Sequence, residues 1–255
     1  MVKEAISVIK SRLLEVGSLK DPYVIQLQAD ERKGVQRLLA QLEKRLAKEQ
    51  ALKEQFYAMQ AFERSCYEEG HQLVAGIDEV GRGPLAGPVV AAAVILPSDR
   101  MILGLNDSKQ LSEKKRLELA DKIQNQAIAI GIGEVPAEKI DQVNIYQASK
   151  IAMKEAVKNL VVKPDHLLVD AMSVDLLIPQ EKIIKGDARS VSIAAASIIA
   201  KVYRDNLMKE YHKDYPYYGF DQNAGYGTKA HLTGLNEHGI TAIHRKSYAP
   251  IKKYL

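Results

Sequence analysis

Residues 76–88 read GIDEVGRGPLAGP, two adjacent acids followed at once by a glycine-arginine-glycine turn. The apolar residues 73–77 in front of the acids predict a strand. Asp78 and Glu79 would then lie where a strand meets a loop, a common place for site residues. Because successive side chains of a strand point to opposite faces, we expect the strand to end or bulge at Glu79 if both acids serve one site.

The chain from residue 71 onward has the pattern of an α/β domain. Three short apolar strands come first, and further strands then alternate with helices. This order is typical of a mixed sheet with helices on both faces. The predicted strands are 73–78, 89–96, 127–135, 166–170 and 182–185, and the predicted helices include 136–160 and 190–211.

The first 70 residues predict helices almost throughout, with a break at Asp21 and Pro22 and a stop at Gly70. They hold 12 basic and 11 acidic residues and no cluster of catalytic type. Mixed charge of this kind is typical of a helical hairpin that packs or binds a partner. We therefore predict a helical extension at 1–70 and a catalytic α/β domain at 71–255.

Composition limits the classes of function. With 255 residues, 46% of them hydrophobic, the chain can bury a full core. Its 36 basic and 32 acidic residues give a net charge of +4, which suits a polyanionic partner and an ordinary enzyme alike. Cys66 is the single cysteine, which excludes an internal disulfide and a cysteine-based metal site and indicates a reducing compartment.

The sequence also indicates where the protein is found. Its longest apolar run, 89–96, has eight residues, against the roughly 20 that a membrane-spanning helix needs. The first residues lack the apolar core and cleavage site of a signal peptide. We expect a cytoplasmic protein with no membrane partner.

Two further aspartates each follow an apolar strand, Asp170 after 167–169 and Asp187 after 183–186. If these strands are neighbours of the first, four acids converge at one edge of the sheet. An all-oxygen set of this kind suits Mg²⁺ or Mn²⁺ and suits zinc poorly. Two such ions are a standard device for phosphodiester hydrolysis. A lone strand-end aspartate is more often a cap or a turn former, and that alternative stays open for Asp170 and Asp187.

The glycine-rich loop does not match a nucleotide-binding motif. Its spacing is near that of a P-loop, but the Lys-Ser/Thr pair is missing and a strand follows. The dinucleotide-binding spacing is missed by one residue. The loop Gly81, Arg82, Gly83 instead allows close backbone approach to a sugar hydroxyl, with Arg82 available for a phosphate.

Two more positions are candidates for substrate contact. Lys109 follows Asn-Asp-Ser and could bind a phosphate, although a simple turn and cap explains the same residues. Tyr226 lies between two glycines and could stack on a base or sugar. The six histidines show no zinc-hydrolase pattern, and each is interpreted as structural or solvent-exposed.

Taken together, these motifs resemble ribonuclease HII, the type 2 ribonuclease H family. The resemblance covers 71–255, while 1–70 lies outside the usual family core, an arrangement similar to Bacillus-type members with an N-terminal extension. The matching segments are 76–88, 106–109, 168–170, 185–187, 195–205 and 225–228.

This resemblance implies a ribonuclease H-like α/β fold and a defined activity. Asp78, Glu79, Asp170 and Asp187 match the four acids that bind two Mn²⁺ or Mg²⁺ ions, with Asp78 expected to bridge them. The family cleaves the RNA strand of RNA/DNA hybrids. It also nicks duplex DNA on the 5′ side of an embedded ribonucleotide and leaves 3′-hydroxyl and 5′-phosphate ends.

The resemblance also implies how substrate is recognised. Gly81, Arg82 and Gly83 match the loop that recognises the 2′-hydroxyl through its backbone and favour ribonuclease HII over its sibling, ribonuclease HIII. Tyr226 matches the tyrosine that stacks on the next deoxyribose and senses an RNA-to-DNA junction. We expect a monomer. Two alternatives remain, a non-catalytic nucleic-acid-binding protein and a nuclease of the same fold that cuts DNA.

Overall fold

The computed structural model describes residues 4–255, and the chain divides into two compact units, Met1–Tyr57 and Ala58–Leu255. The first unit is helical, as predicted. Asp21 caps its second helix by accepting a hydrogen bond from the Tyr23 amide, with Pro22 in the first turn. Its helices are α1 (Ile6–Glu15), α2 (Pro22–Gln28) and most of α3 (Lys33–Met59), and their buried side chains are Ile9, Leu13, Val16, Val24, Leu27, Val35 and Leu42.

The second unit contains a five-stranded sheet. Its strands are β1 (Val74–Val80), β2 (Val89–Ile95), β3 (Ala129–Val135), β4 (His166–Asp170) and β5 (Gln180–Ile183). They lie in the order β3-β2-β1-β4-β5. Strand β2 is antiparallel to both of its neighbours, β1 and β3, whereas β4 and β5 run parallel to β1. The predicted mixed sheet is confirmed.

Helices cover both faces of this sheet, and glycines allow them close to it. A side chain at Gly76 would collide with the backbone of Ser192, and one at Gly133 with the carbonyl of Ala152. One face therefore packs on the helix of Ser192 and the other on the helix of Ala152. The helices of this unit are α4 (Ala61–Glu68), α5 (Glu113–Gln126), α6 (Ala137–Val143), α7 (Ile145–Lys158), α8 (Val191–Asp214), α9 (Phe220–Asn223), α10 (Lys229–His238) and α11 (Ala249–Lys252).

Two predicted elements differ from the structure. The single helix expected at 136–160 is two helices, because Asn144 adopts a φ of 69° and caps α7 through the Gln147 amide. The strand expected at 182–185 is shifted toward the N-terminus, since Lys185 already has a left-handed conformation. No helix in the described range 4–255 is long and apolar enough to cross a membrane.

The predicted division at residue 70 stays a prediction. The boundary between the compact units comes earlier, between Tyr57 and Ala58, so that α4 lies in the same unit as the sheet. In that unit Phe62, Cys66 and Tyr67 pack with strand residues Val74 and Leu168.

Candidate active site

The first pair of acids lies on adjacent parallel strands. Ile77 of β1 is in register with Val169 of β4, so Asp78 and Asp170 occupy the next position on each strand. Asp78 shares its face with Gly76, which contacts α8. Because side chains in register on parallel strands point the same way, both carboxyl groups lie on the α8 face near the ends of their strands.

The position of Glu79 on its strand differs from the prediction. The strand neither ends nor bulges at this residue: Glu79 pairs with Ala91 and Val80 with Val90 in regular register, so that expectation was wrong. Glu79 therefore points to the face opposite Asp78, one residue from the end of the strand. Its carboxylate is 3.2 Å from the Arg82 guanidinium.

Asp187 comes from the turn before α8. This turn, Gly186–Ala188, is attached to the sheet because the Gly186 amide donates a 2.6 Å hydrogen bond to Asp170 Oδ1. A side chain at Gly186 would lie 2.5 Å from Ile193 Cδ1 and 3.2 Å from the same carboxylate oxygen. The close approach of the turn to Asp170 thus favours a glycine.

Burial controls the protonation of this acidic cluster, which we define as Asp78, Glu79, Asp170 and Asp187. Asp78 is 6% exposed, and its pKa is raised well above the usual range, first by burial and then by the charges of Glu79 and Asp170. Burial raises the pKa of Glu79 to about 7 despite Arg82. It also raises the pKa values of Asp170 and Asp187. Each carboxylate is therefore costly to ionise beside its neighbours.

The donor chemistry of the acidic cluster fits divalent cations. Its donors are all carboxylate oxygens, the ligands that Mg²⁺ and Mn²⁺ prefer. Within residues 4–255 the buried Glu79 Oε2 has no hydrogen-bond partner. In the same range no three acidic, histidine or cysteine side chains already stand in an arrangement that holds an ion. The assignment of the four acids as metal ligands stays a prediction.

Lys109 lies at the border of the acidic cluster, on the exposed surface. Burial lowers its pKa, but the negative charges of Asp107, Asp78 and Asp187 outweigh this and raise it. Asp107, to which the sequence interpretation gave no role of its own, raises the pKa of Asp187 through its charge. Lys109 is thus a second cation facing the acids, beside Arg82.

Two buried arginines bind backbone carbonyls of the glycine-rich loop from the protein interior. The Arg245 guanidinium donates to the carbonyl oxygens of Gly81 at 2.5 Å, Arg82 at 2.9 Å and Gly87 at 3.0 Å. Arg204 donates to the carbonyl oxygens of Pro88, Ala86 and Ala224 at 2.9, 3.1 and 2.8 Å. Because these carbonyls are engaged from the interior, the path of the loop is fixed.

Sequence reasoning missed both arginines. Arg204 falls in the matched segment 195–205, where its one signal is a cation within the most apolar helix of the chain. Arg245 has no such signal, because its partners are backbone atoms distant in sequence. Burial and the nearby Arg245 lower the pKa of Arg204 to about 10, so it remains a cation at neutral pH.

Tyr226 lies against the loop. Its ring is 46% exposed, and a side chain added to Gly83 would lie 3.4 Å from its Cε1 atom. The preceding residue, Gly225, accepts a hydrogen bond from the Leu85 amide at 2.9 Å. The structure therefore brings Tyr226 and Gly83, far apart in sequence, onto one surface.

Known proteins are similar to this chain in fold and in sequence. The crystal structure of a ribonuclease H2 from Pyrococcus horikoshii OT3 matches with a TM-score of 0.60 and 26% identity, covering 71% of this chain and 96% of that one. Ribonuclease HII from Enterococcus faecalis is 59% identical over 253 residues, 99% of each chain. Ribonuclease HII from Bacillus subtilis is 55% identical over 246 residues, 96% of each.

The domain with this mixed sheet, in which Asp78 and Asp170 lie near the ends of β1 and β4, therefore has the fold of the type 2 ribonucleases H. The family model described as Ribonuclease HII matches residues 75–251, and that described as Ribonuclease HII N-terminal domain matches 5–67. The chain belongs to the ribonuclease HII family and is an endoribonuclease, a hydrolase of phosphodiester bonds.

Proposed function

We propose that this endoribonuclease hydrolyses the RNA strand of RNA/DNA hybrids and nicks duplex DNA on the 5′ side of an embedded ribonucleotide. The products would carry a 3′-hydroxyl and a 5′-phosphate. Membership of the ribonuclease HII family supports the hybrid activity. The observation that carries the proposal is the placement of Asp78 and Asp170 in register on one face, with the Asp187 turn bonded to Asp170.

The acidic cluster is proposed to hold two Mg²⁺ or Mn²⁺ ions. Bound ions of this kind activate a water and stabilise the leaving oxygen in phosphodiester hydrolysis. Asp78 is the best candidate for the shared ligand, because its charge interacts with Glu79, Asp170 and Asp187 alike. Buried acids with raised pKa values gain most from a cation, which offsets their mutual repulsion.

Substrate selection is proposed to lie in the loop and in Tyr226. The backbone of Gly81–Gly83 would contact the 2′-hydroxyl of the ribonucleotide, while Arg82 and Lys109, both exposed, would contact phosphates. Tyr226 would stack on the deoxyribose that follows. The proximity of the Tyr226 ring to Gly83 supports a single surface that reads ribose and deoxyribose side by side.

The decisive experiment measures nicking of a DNA duplex that carries one ribonucleotide. The matched all-DNA duplex is the control, and both are incubated with Mg²⁺, with Mn²⁺ and with chelator. We expect metal-dependent cutting on the 5′ side of the ribonucleotide only. Equal cutting of the all-DNA duplex would instead identify a DNA-directed nuclease, and binding without any cutting would contradict the proposal.

A further inference from the structure

Two histidines that the mechanism does not use are buried next to each other. His231 of α10 is 0% exposed and His244 is 1% exposed. Their Nε2 atoms are 2.9 Å apart. Two imidazoles at this distance form a hydrogen bond only if one nitrogen carries a hydrogen and the other does not. The hydrogen bond between the two rings therefore has a direction, from the ring that donates to the ring that accepts.

One backbone amide sets that direction. The Thr241 N–H donates to His244 Nδ1 at 2.9 Å, and the Thr241 hydroxyl, also 2.9 Å from Nδ1, can donate to the same atom. An amide can only donate, so His244 Nδ1 is an acceptor and the hydrogen of this ring is on Nε2. His244 Nε2 then donates to His231 Nε2. The remaining hydrogen of His231 is on Nδ1, which donates to the Tyr226 carbonyl oxygen at 3.0 Å.

This arrangement requires both rings to be neutral. Burial lowers the pKa of His231, and it lowers that of His244, together with the neighbouring His231, to about 4. A second hydrogen on His231 would place two N–H groups against each other at the Nε2 contact, and one on His244 would place Nδ1–H against the Thr241 N–H. One placement of the hydrogens therefore satisfies all of these hydrogen bonds.

The two ends of the histidine pair contact different parts of the proposed substrate surface. At one end the Tyr226 carbonyl also accepts the Thr228 amide at 2.8 Å, so both its lone pairs are used. At the other end His244 forms an isolated bridge with Ala86 and directly precedes Arg245, whose guanidinium holds the Gly81 and Arg82 carbonyls. The pair connects the support of Tyr226 with the support of the loop.

We propose that the His231–His244 pair is a positioning device that sets Tyr226 against the Gly81–Gly83 loop, and that selectivity for ribonucleotide-deoxyribonucleotide junctions depends on it. The inference rests on the proposed function, because Tyr226 must sense the junction for its position to matter. Neither histidine acts on the reacting atoms. A small displacement of a positioning contact changes rate without removing any group that touches the substrate.

Two substitutions of the same residue separate the two hydrogen bonds. In His231→Asn the side-chain NH₂ takes the place of Nδ1–H and still donates to Tyr226. In His231→Gln the amide instead reaches the place of Nε2, which keeps a contact with His244 and loses the bond to Tyr226. The exposed His238 of the same helix, replaced by Asn, is the matched control.

The readout is the ratio of kcat/KM on the single-ribonucleotide duplex to kcat/KM on a long hybrid. We expect His231→Gln, which loses the bond to Tyr226, to lower this ratio about tenfold or more. His231→Asn, which keeps that bond and loses the contact with His244, should lower it less, and His238→Asn should leave it unchanged. A purely structural role would lower both activities together. Equal ratios for the Gln and Asn variants would overturn the proposal.

A second measurement needs no variant. In ¹⁵N-histidine-labelled protein, long-range ¹H–¹⁵N spectra distinguish the two neutral tautomers. We expect His231 to carry its hydrogen on Nδ1 and His244 on Nε2 at pH 7; the opposite assignment would overturn the proposed direction. If wild-type protein fails to nick the single-ribonucleotide duplex, the proposed function is contradicted, while the tautomer result still decides the histidine arrangement.

Discussion

Asp78 combines deep burial with three neighbouring acids, and this makes one substitution informative about function and stability together. Replacement by Asn preserves the shape and removes the charge. We expect Asp78→Asn to lower hybrid cleavage by at least about 10²–10³-fold, the usual cost of removing a group that stabilises the transition state. Activity is measured as the initial rate in Mn²⁺ and in Mg²⁺.

The same variant should be more stable than wild type in chelator at pH 8. Its amide avoids the cost of a buried charge that raises the pKa of Asp78. Thermal melting with and without metal gives the comparison, and Asp99→Asn, at an exposed residue outside the site, is the control. Wild-type-like turnover in Asp78→Asn would refute the assignment of Asp78.

The raised pKa of Glu79 predicts how metal stabilisation depends on pH. A carboxyl whose folded pKa of about 7 exceeds its ordinary value of 4.5 holds its proton more tightly in the folded state. Its contribution to stability is fully present below about pH 4.5 and is lost as the pH rises through 7. Divalent cations compensate for the ionised acids, so Mn²⁺ should raise the melting temperature more at pH 8 than at pH 5. An equal rise at both values would contradict this assignment.

Tyr226 is expected to contribute through its ring and not through its hydroxyl. Stacking of this kind is worth about 1–3 kcal/mol, or roughly 5- to 150-fold in rate. Tyr226→Ala should therefore lose that much kcat/KM on a single-ribonucleotide duplex and much less on a long hybrid. Tyr226→Phe should retain most of the activity on both. An equal loss on both substrates in Tyr226→Ala would argue against junction sensing.

At the level of single residues, sequence reasoning singled out as candidates acids near strand ends and a tyrosine between glycines. Asp78, Asp170 and Tyr226 carry such local signals. Asp107 escaped notice because its role depends on Asp187, 80 positions away in the chain. Arg245 escaped because a buried arginine held by backbone carbonyls follows no short sequence pattern.

At the level of elements, hydrophobic periodicity located strands and helices but not the points where the backbone changes direction. The apolar pattern of 136–160 continues across Asn144, and only its positive φ separates α6 from α7. The prediction of a bulge at Glu79 assumed that both neighbouring acids must share one face. The structure keeps the strand regular and places Glu79 at its margin instead.

Helix α4 is linked to the start of α8 by one acid. Glu63 is 1% exposed, and its Oε1 accepts hydrogen bonds from the Ser190 hydroxyl, the Ser192 amide and the Ser192 hydroxyl at 2.5, 2.9 and 2.6 Å. Burial raises the pKa of Glu63 although these bonds oppose the shift. Glu63 thereby satisfies donors at the start of α8, four residues after the turn that carries Asp187.

The position of Glu63 in α4 predicts how two truncated proteins differ in stability. Removing residues 1–57 keeps α4, whereas removing 1–70 deletes it. Loss of the Glu63 acceptor should cost about 1–3 kcal/mol, so the 71–255 protein should melt at a lower temperature than the 58–255 protein. Full-length Glu63→Ala should show part of this loss and Glu63→Gln less of it. Equal melting of both truncated proteins would contradict a stabilising role for α4.

For the whole molecule, sequence reasoning recovered the architecture and the family. The order of strands and helices sufficed for a mixed sheet, because a parallel pair next to antiparallel strands follows from the connections between them. The predicted boundary at Gly70 followed a helix stop signal. A stop signal marks where a helix ends and carries no information about which unit the helix packs against, so the sequence alone does not assign α4 to either unit.

The two buried arginines have a consequence for ionic strength. Arg204 and Arg245 are 1% and 0% exposed, and dissolved ions screen charges that face water, over about 10 Å at 0.1 M salt. Added salt therefore acts on exposed cations such as Arg82 and Lys109, not on the cations that fix the loop. Salt should weaken the attraction for the nucleic-acid backbone while the loop keeps its shape, so that affinity declines and the choice of cleavage position does not.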